Sequence, residues 1–266
     1  MEPLSVFYII KNEEKRLPES LEKAVQIADE IIVLDSGSTD RSVEIAESFG
    51  AKVFFKKWEG YAIQKAHAAS LCKNEWLLNL DADEILSNEV IQSIKETLNK
   101  SDLDQFGGFE MQWKYLPPVK GHPLKYIPNQ YLLRLYNKNK AGFKAEANSI
   151  EDRASVNQGK LRRLRGVVYH KCILSFDQLE KKYSLMSSDQ AKYFHDKKRK
   201  ISNLRFYLEF PLKFFKYFFI KGLCRNGWYG FSVSIVAAYR NFMRLAKTRE
   251  IQMNDELEKK SNFDPN

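Results

Sequence analysis

Apolar and polar positions along the first hundred residues repeat in two alternating textures. Leu4–Ile10 is a short apolar run rich in β-branched and aromatic residues, the pattern of a buried strand. Leu17–Ala28 carries apolar residues at helical spacing, and Glu30–Leu34 is a second apolar run that breaks off at Asp35-Ser-Gly-Ser-Thr-Asp40. Ser38, Thr39 or Asp40 can cap the next helix, Arg41–Phe49, which stops at Gly50. Ala51–Phe55 reads as a third strand, Tyr61–Leu71 as a third helix, and Trp76–Leu80 as a fourth strand running into Asp81-Ala-Asp-Glu84. Ser87 then opens a helix to about Leu98. Strand alternating with helix at this spacing predicts a parallel sheet with helices on both faces. Ligands of such sheets bind beyond the carboxyl ends of the strands. Both acidic segments, Asp35–Asp40 and Asp81–Asp83, fall there.

The texture changes at Phe106. Phe109–Tyr115 and Tyr131–Tyr136 read as strands, separated by a loop with Pro117, Pro118, Pro123 and Pro128. A loop of that length inside a domain is usually functional. Tyr183–Lys200 is helical and basic, Leu204–Ile220 is densely aromatic, and Phe231–Arg249 is helical again. From about Asn254 the chain is polar and expected to fray. There is no internal repeat.

A chain of 266 residues holds one large core, or a domain with an appendage, and 44% hydrophobic with 13% aromatic residues excludes wholesale disorder. The net charge of +9 calls for an anionic partner: nucleic acid, a membrane or a substrate. Nucleic acid is the weakest of the three, because the cations concentrate after Lys160 without any recognisable binding module. Cys72, Cys172 and Cys224 are far apart and lack metal-ligand spacing, as in a reduced compartment. The amino terminus has no basic n-region and carries Glu2, unlike a secretory signal. Asn226–Tyr239 is the longest uncharged apolar-rich stretch late in the chain and falls short of the ~20 residues a spanning helix needs. A cytoplasmic protein, peripheral on the inner face of the cytoplasmic membrane, is the expectation.

Asp81 and Asp83 are the sharpest chemical feature. At a strand end that turns, one carboxylate can ligate a hard divalent cation while the other holds a ribose hydroxyl or a metal-bound water. The bland alternative is a solvated acidic turn before the helix opened by Ser87. Asp35–Asp40 is either a turn and helix cap or a nucleotide contact, in which Asp35 accepts hydrogen bonds from base or ribose and Gly37 allows close approach. Asn12-Glu13-Glu14 follows the first strand in the same way. Gln64 and Lys65 open the third helix, where a cation and backbone amides meet a diphosphate well.

The ordered set Ile10-Lys-Asn12-Glu-Glu14, Asp29–Asp40, Trp58-Glu-Gly60-Tyr61 with Gln64-Lys65, and Asp81-Ala-Asp83-Glu84 resembles the family 2 inverting glycosyltransferases. The branch that includes lipopolysaccharide inner-core glucosyltransferases is the most similar. The resemblance is strong over roughly residues 4–90 and loose over 130–250. It implies a GT-A fold: a Rossmann-like, mostly parallel sheet with flanking helices, in a catalytic domain of residues 1–200. Residues 1–100 would bind the nucleotide-sugar, a UDP-sugar being favoured, and residues 101–200 the glycan or glycolipid acceptor. Asn12, Glu14, Asp35, Gln64, Lys65 and Asp81 would contact the donor. Asp81 and Asp83 would hold a Mn²⁺ or Mg²⁺ ion, and His170, which matches a late family histidine, would complete the metal shell or sit in the core. An inverting transfer also needs a general base. The matching stretch is Asn148-Ser-Ile-Glu151-Asp152, without the histidine expected beside the acid, so the base is assigned to Glu151, then Asp152, then Glu146. Lipopolysaccharide core, a polyprenyl-phosphate or another glycan are the acceptors in view, with glucose among the candidate sugars. A non-catalytic nucleotide-sugar-binding protein on the same fold is the alternative.

Residues 201–266 are read as an amphipathic helical region that associates with membrane. Lys213 and Lys216 edge the aromatic run after Pro211, and Arg240, Arg244 and Lys247 form a basic line on the later helix. Aromatic faces edged by cations suit an interfacial helix on anionic lipid. Packing of the aromatics on the catalytic domain is the alternative.

Overall fold

Alternation along strand β1 (Leu4–Ile10) decides the layering of the sheet in the computed structural model, which describes residues 1–117, 130–143, 153–171 and 173–261. Leu4, Val6, Tyr8 and Ile10 join one buried cluster, and Phe7 joins another on the opposite face. The first cluster takes in Leu17 and Leu21 of helix α1 (Leu17–Ala24) and, further along, Val90 and Ile94. The second takes in Ile32 and Leu34 of β2 (Glu30–Asp35) with Ala68 and Cys72. Each fully buried side chain of this size contributes about 1.5–3 kcal/mol, so the two clusters carry the fold.

After β2 come α2 (Ser42–Ser48), the edge strand β3 (Lys52–Phe55), α3 (Tyr61–Ser70), β4 (Trp76–Asn79), β5 (Glu84–Leu86) and α4 (Asn88–Leu98). Ser87 caps α4, its hydroxyl accepting from the Val90 amide at 3.2 Å. Then follow β6 (Phe106–Tyr115), β7 (Gln130–Asn137), the short β8 (Ala141–Gly142) and β9 (Ser155–Val156), and β10 (Lys160–His170). The eight-stranded sheet runs β3-β2-β1-β4-β7-β6-β10-β5. Its first four strands are parallel, β7 is antiparallel to both neighbours, β10 is parallel to β6, and β5 is antiparallel to β10. This is the α/β class with flanking helices that the sequence implied.

Register fixes what lies beyond the carboxyl ends of the parallel strands. Ile10 pairs with Asp35 and Asp35 with Phe55, so the loops after β1, β2 and β3 emerge side by side. His170 pairs with Glu84, which brings the end of β10 to the Asp81–Asp83 turn. A bulge between Arg163 and Val167 accommodates Gly166 at φ 88°, where a Cβ would lie 2.5 Å from the Val90 amide nitrogen.

The described residues form two compact units, the sheet unit (1–116 with the described part of 129–172) and a helical unit from residue 173 onward. The helical unit contains α5 (Phe176–Asp196), α6 (Asn203–Phe215), which continues into a π turn at Lys216–Ile220, and α7 (Gly227–Ser261). α7 runs on to Ser261 where fraying from Asn254 was expected, and α5 starts seven residues before the predicted Tyr183. Among the described residues no helix is long and apolar enough to cross a membrane.

Candidate functional site

The loops after β1 and β2 clasp each other through side chains that the sequence placed there. Asn12, at φ 58°, accepts from the Thr39 amide at 2.8 Å, and its own amide donates to the Ser38 hydroxyl at 2.9 Å. The Glu13 amide donates to Ser42 at 2.7 Å, the Glu14 amide donates to Asp40 at 3.2 Å, and the Glu14 carboxylate accepts from the Arg41 amide at 3.3 Å. Asp35 organises its own turn: it accepts from the Gly37 amide at 2.9 Å and from the Ser38 hydroxyl at 2.6 Å. Gly37 turns the chain at φ 94°. The Asp35 carboxylate is thus buried and engaged, and the exposed residue of the turn is Thr39. Gln64 ties α3 to this loop by donating to Ser36 at 2.8 Å and to the Lys56 carbonyl at 3.0 Å. Its carbonyl oxygen is buried with no hydrogen-bond partner among the described residues.

Asp81 and Asp83 leave the end of β4 in different directions and find different company. Asp81 lies 3.0 Å from Lys65 Nζ and 2.8 Å from Arg134 Nη2. Arg134, on β7, also contacts Glu84 and donates to Asn79 at 3.0 Å. Lys65, Glu84 and Arg134 are almost wholly buried, so two cations and two carboxylates balance one another away from water. Burial raises the Asp81 carboxyl, but Arg134 and Lys65 outweigh it and hold the group well below the usual carboxylate range. Glu84 goes the other way: burial, opposed by Arg134 and reinforced by Asp81, pushes it up to about 7. The consequence for metal binding is direct. Asp81 is committed to two cations, which compete with any ion for its oxygens.

Asp83 instead faces His170 Nε2 at 3.2 Å, with Arg16 Nη1 further away at 3.9 Å. The His170 ring stacks on Trp113 of β6 at 3.9 Å between centroids and meets the edge of Tyr115 at 6.1 Å. Arg16 is held by Glu13, Nε to Oε2 at 2.7 Å. One carboxylate oxygen and one imidazole nitrogen are a mixed donor set, poorer for Mg²⁺, which prefers oxygen alone, than for a first-row ion that also accepts imidazole. Among the described residues no three His, Cys, Asp or Glu side chains gather as a metal cage. An ion held by this pair would need its other positions filled from outside the protein, by phosphate oxygens or water.

The fold brings Asn12, Glu14, Asp35, Gln64 and Lys65 together with Asp81, Asp83 and His170 on one edge of the sheet. Glu151, Asp152 and Glu146, assigned to base chemistry, lie outside the described residues, as does the loop holding Pro118, Pro123 and Pro128. Arg134 and Glu84 escaped sequence reasoning. A lone cation inside the apolar strand Tyr-Leu-Leu-Arg-Leu-Tyr was the available signal, because a buried charge requires a partner.

Residues 5–159 match the family model described as Glycosyl transferase family 2. A glycosyltransferase of Rickettsia felis is 39% identical over 256 residues, covering 94% of this chain and 90% of its own length. The lipopolysaccharide core biosynthesis glycosyltransferase LpsC of Rhizobium meliloti is 29% identical, covering 92% of this chain and 91% of its own. Among solved structures, S. aureus TarS 1–349 in complex with UDP is similar at 14% identity and a TM-score of 0.46, covering 95% of this chain and 92% of that one.

Proposed function

The chain belongs to glycosyl transferase family 2, and from that membership we propose that it moves a sugar with inversion from a UDP-sugar to a lipopolysaccharide-core or other lipid-linked glycan acceptor, with Mn²⁺ bound at Asp83 and His170. The observation that carries the metal reading is the 3.2 Å approach of Asp83 to His170 at the strand edge where donor loops converge. The acceptor class rests on the resemblance to inner-core transferases and on the core-biosynthesis relative.

In this reading the clasped loops around Asn12, Glu14 and Asp35 receive the nucleoside, and Gln64 has an unused buried acceptor beside them. A bound divalent ion would supply positive charge to the diphosphate as it leaves. Asp81 serves indirectly, fixing Lys65 and Arg134 beneath the donor site. The acceptor hydroxyl gives its proton to the base, Glu151 or Asp152, while its oxygen bonds to the anomeric carbon. The bond from that carbon to the diphosphate breaks on the opposite side, and its electron pair stays with the diphosphate.

Thermal shift with UDP, with and without Mn²⁺, tests the donor half. A ligand that binds only the folded state at about 100 times its Kd stabilises by about 2.7 kcal/mol. Wild type should gain this only with the ion. Asp83→Asn and His170→Ala should each lose the gain while melting near wild type in buffer. Equal stabilisation by UDP in EDTA would remove the metal from the mechanism. Sugar transfer to a core-oligosaccharide lipid, lost in Glu151→Gln but with UDP binding retained, tests the acceptor half.

A further inference from the structure

Helix α6 is amphipathic with its sides reversed. Leu204, Tyr207, Leu208, Leu212, Phe215 and Phe219 recur at helical spacing, and all are exposed, Tyr207 to 74% and Leu212 to 61%. The opposite side carries Glu209, only 7% exposed, which accepts from Arg244 Nη2 at 2.9 Å. A helix bathed by water on its outer side shows the opposite arrangement. A contiguous apolar stripe of this kind marks a surface that something else covers.

Charge identifies what covers it. From Asn203 to Arg249 the chain has nine Lys and Arg against one acid, the buried Glu209. The basic line expected to face lipid does not do so. Arg240 lies 4.7 Å from the Tyr183 ring, Arg244 lies 4.7 Å from the Phe194 ring, and Lys247 donates to Ser187 at 2.8 Å and Ser188 at 2.9 Å. Those three residues clamp α7 onto α5, which corrects the sequence reading. Lys216, Lys221 and Arg225 are exposed along and just beyond the end of the stripe, while Arg205, also exposed, lies 3.7 Å from Glu209. A second copy of the chain laid on the stripe would set the same cationic excess against itself.

We propose that the α6 stripe seats on an anionic lipid surface, its apolar residues entering the headgroup boundary and Lys216 and Lys221 meeting lipid phosphates. Long cationic stems suit that depth, since they keep the ammonium in water while the methylenes are buried. The inference concerns a different part of the chain from the donor site and stands whether or not that site binds UDP.

The test is co-sedimentation of the full chain with phosphatidylcholine vesicles, with and without phosphatidylglycerol, at low and high salt. Wild type should bind only the anionic vesicles and release as salt rises. Leu212→Glu with Phe215→Glu should lower partition at least tenfold. Lys216→Gln and Lys221→Gln should each lower it about fivefold, the equivalent of ~1 kcal/mol per cation near such a surface. These positions are exposed, so melting temperature and UDP-dependent stabilisation should stay at wild-type values. A donor response lost in wild type with vesicle binding intact would overturn only the transferase reading. Absence of vesicle binding by wild type, or wild-type binding by the glutamate variant, would overturn the proposal. So would a wild-type dimer, seen by light scattering, that the glutamate variant turns into monomer.

Discussion

Glu84→Gln isolates the least usual charge in the molecule. Glu84 is fully buried, contacts Arg134, and accepts from the Asp81 amide at 3.2 Å. Its carboxyl titrates at about 7 in place of 4.5. At about 1.4 kcal/mol for each pH unit, that difference amounts to about 3 kcal/mol. The sign follows from the direction. A folded state that holds its proton more tightly than the unfolded chain has that stabilisation in full below about pH 4.5. It loses the stabilisation as pH climbs through about 7. Asp81 is displaced downward, so its own titration lies below this window. Glutamine keeps the shape and the acceptor for the Asp81 amide but cannot ionise. It imposes a constant cost by meeting Arg134 with an amide, and it removes the pH-dependent part. Urea unfolding of both proteins from pH 5 to pH 8 should therefore show wild type losing about 3 kcal/mol relative to the variant, or about 1 M or more in midpoint at ordinary slopes. A difference between the two that stays constant across this range would show Glu84 ionised throughout, and the reasoning about this buried quartet would be wrong.

Substitutions at two further positions probe the frame around the site. Arg134→Met leaves Asp81 with Lys65 and takes from Glu84 the cation it contacts, and should cost about 3–5 kcal/mol in denaturant unfolding; Arg134→Lys should recover only part of it, because an ammonium cannot reach both carboxylates and Asn79 as a fork does. Gly166→Ala puts a methyl 2.5 Å from the Val90 amide nitrogen at a left-handed backbone position, and should lower stability by about 1–3 kcal/mol; an unchanged melting temperature would mean that the bulge slides freely.

The parallel half of the sheet was legible because each strand's apolar run stops at a polar turn. Parallel pairing then makes all those turns emerge on one edge. That logic put Asp35, Asp81 and Asp83 at strand ends, where the register has them. It failed where partners are distant in sequence and carry no period of their own. β5 is three residues long, and β10 opens with Lys-Leu-Arg-Arg-Leu-Arg, which reads as solvated surface because its outer edge pairs with β5 only from Val168 onward. Helical spacing revealed that α6 has two sides but not which one faces inward. The Glu209–Arg244 contact decides that, and it spans two helices. The carboxylate of Asp35 looked available from sequence and is spent on its own turn.

The distance in sequence between Asp83 and His170 has a consequence for how the protein comes into being. Everything through β7 can be synthesised with the loops after β1 and β2, Lys65, Asp81 and Arg134 already present in the chain. His170 arrives only with the last residue of β10, and its approach to Asp83 depends on that strand slotting between β6 and β5. An incomplete chain, or one whose late strand fails to insert, has the clasped loops after β1 and β2 but not the pair at Asp83. Completion of the sheet is therefore what closes the Asp83–His170 contact, long after its first member has been synthesised.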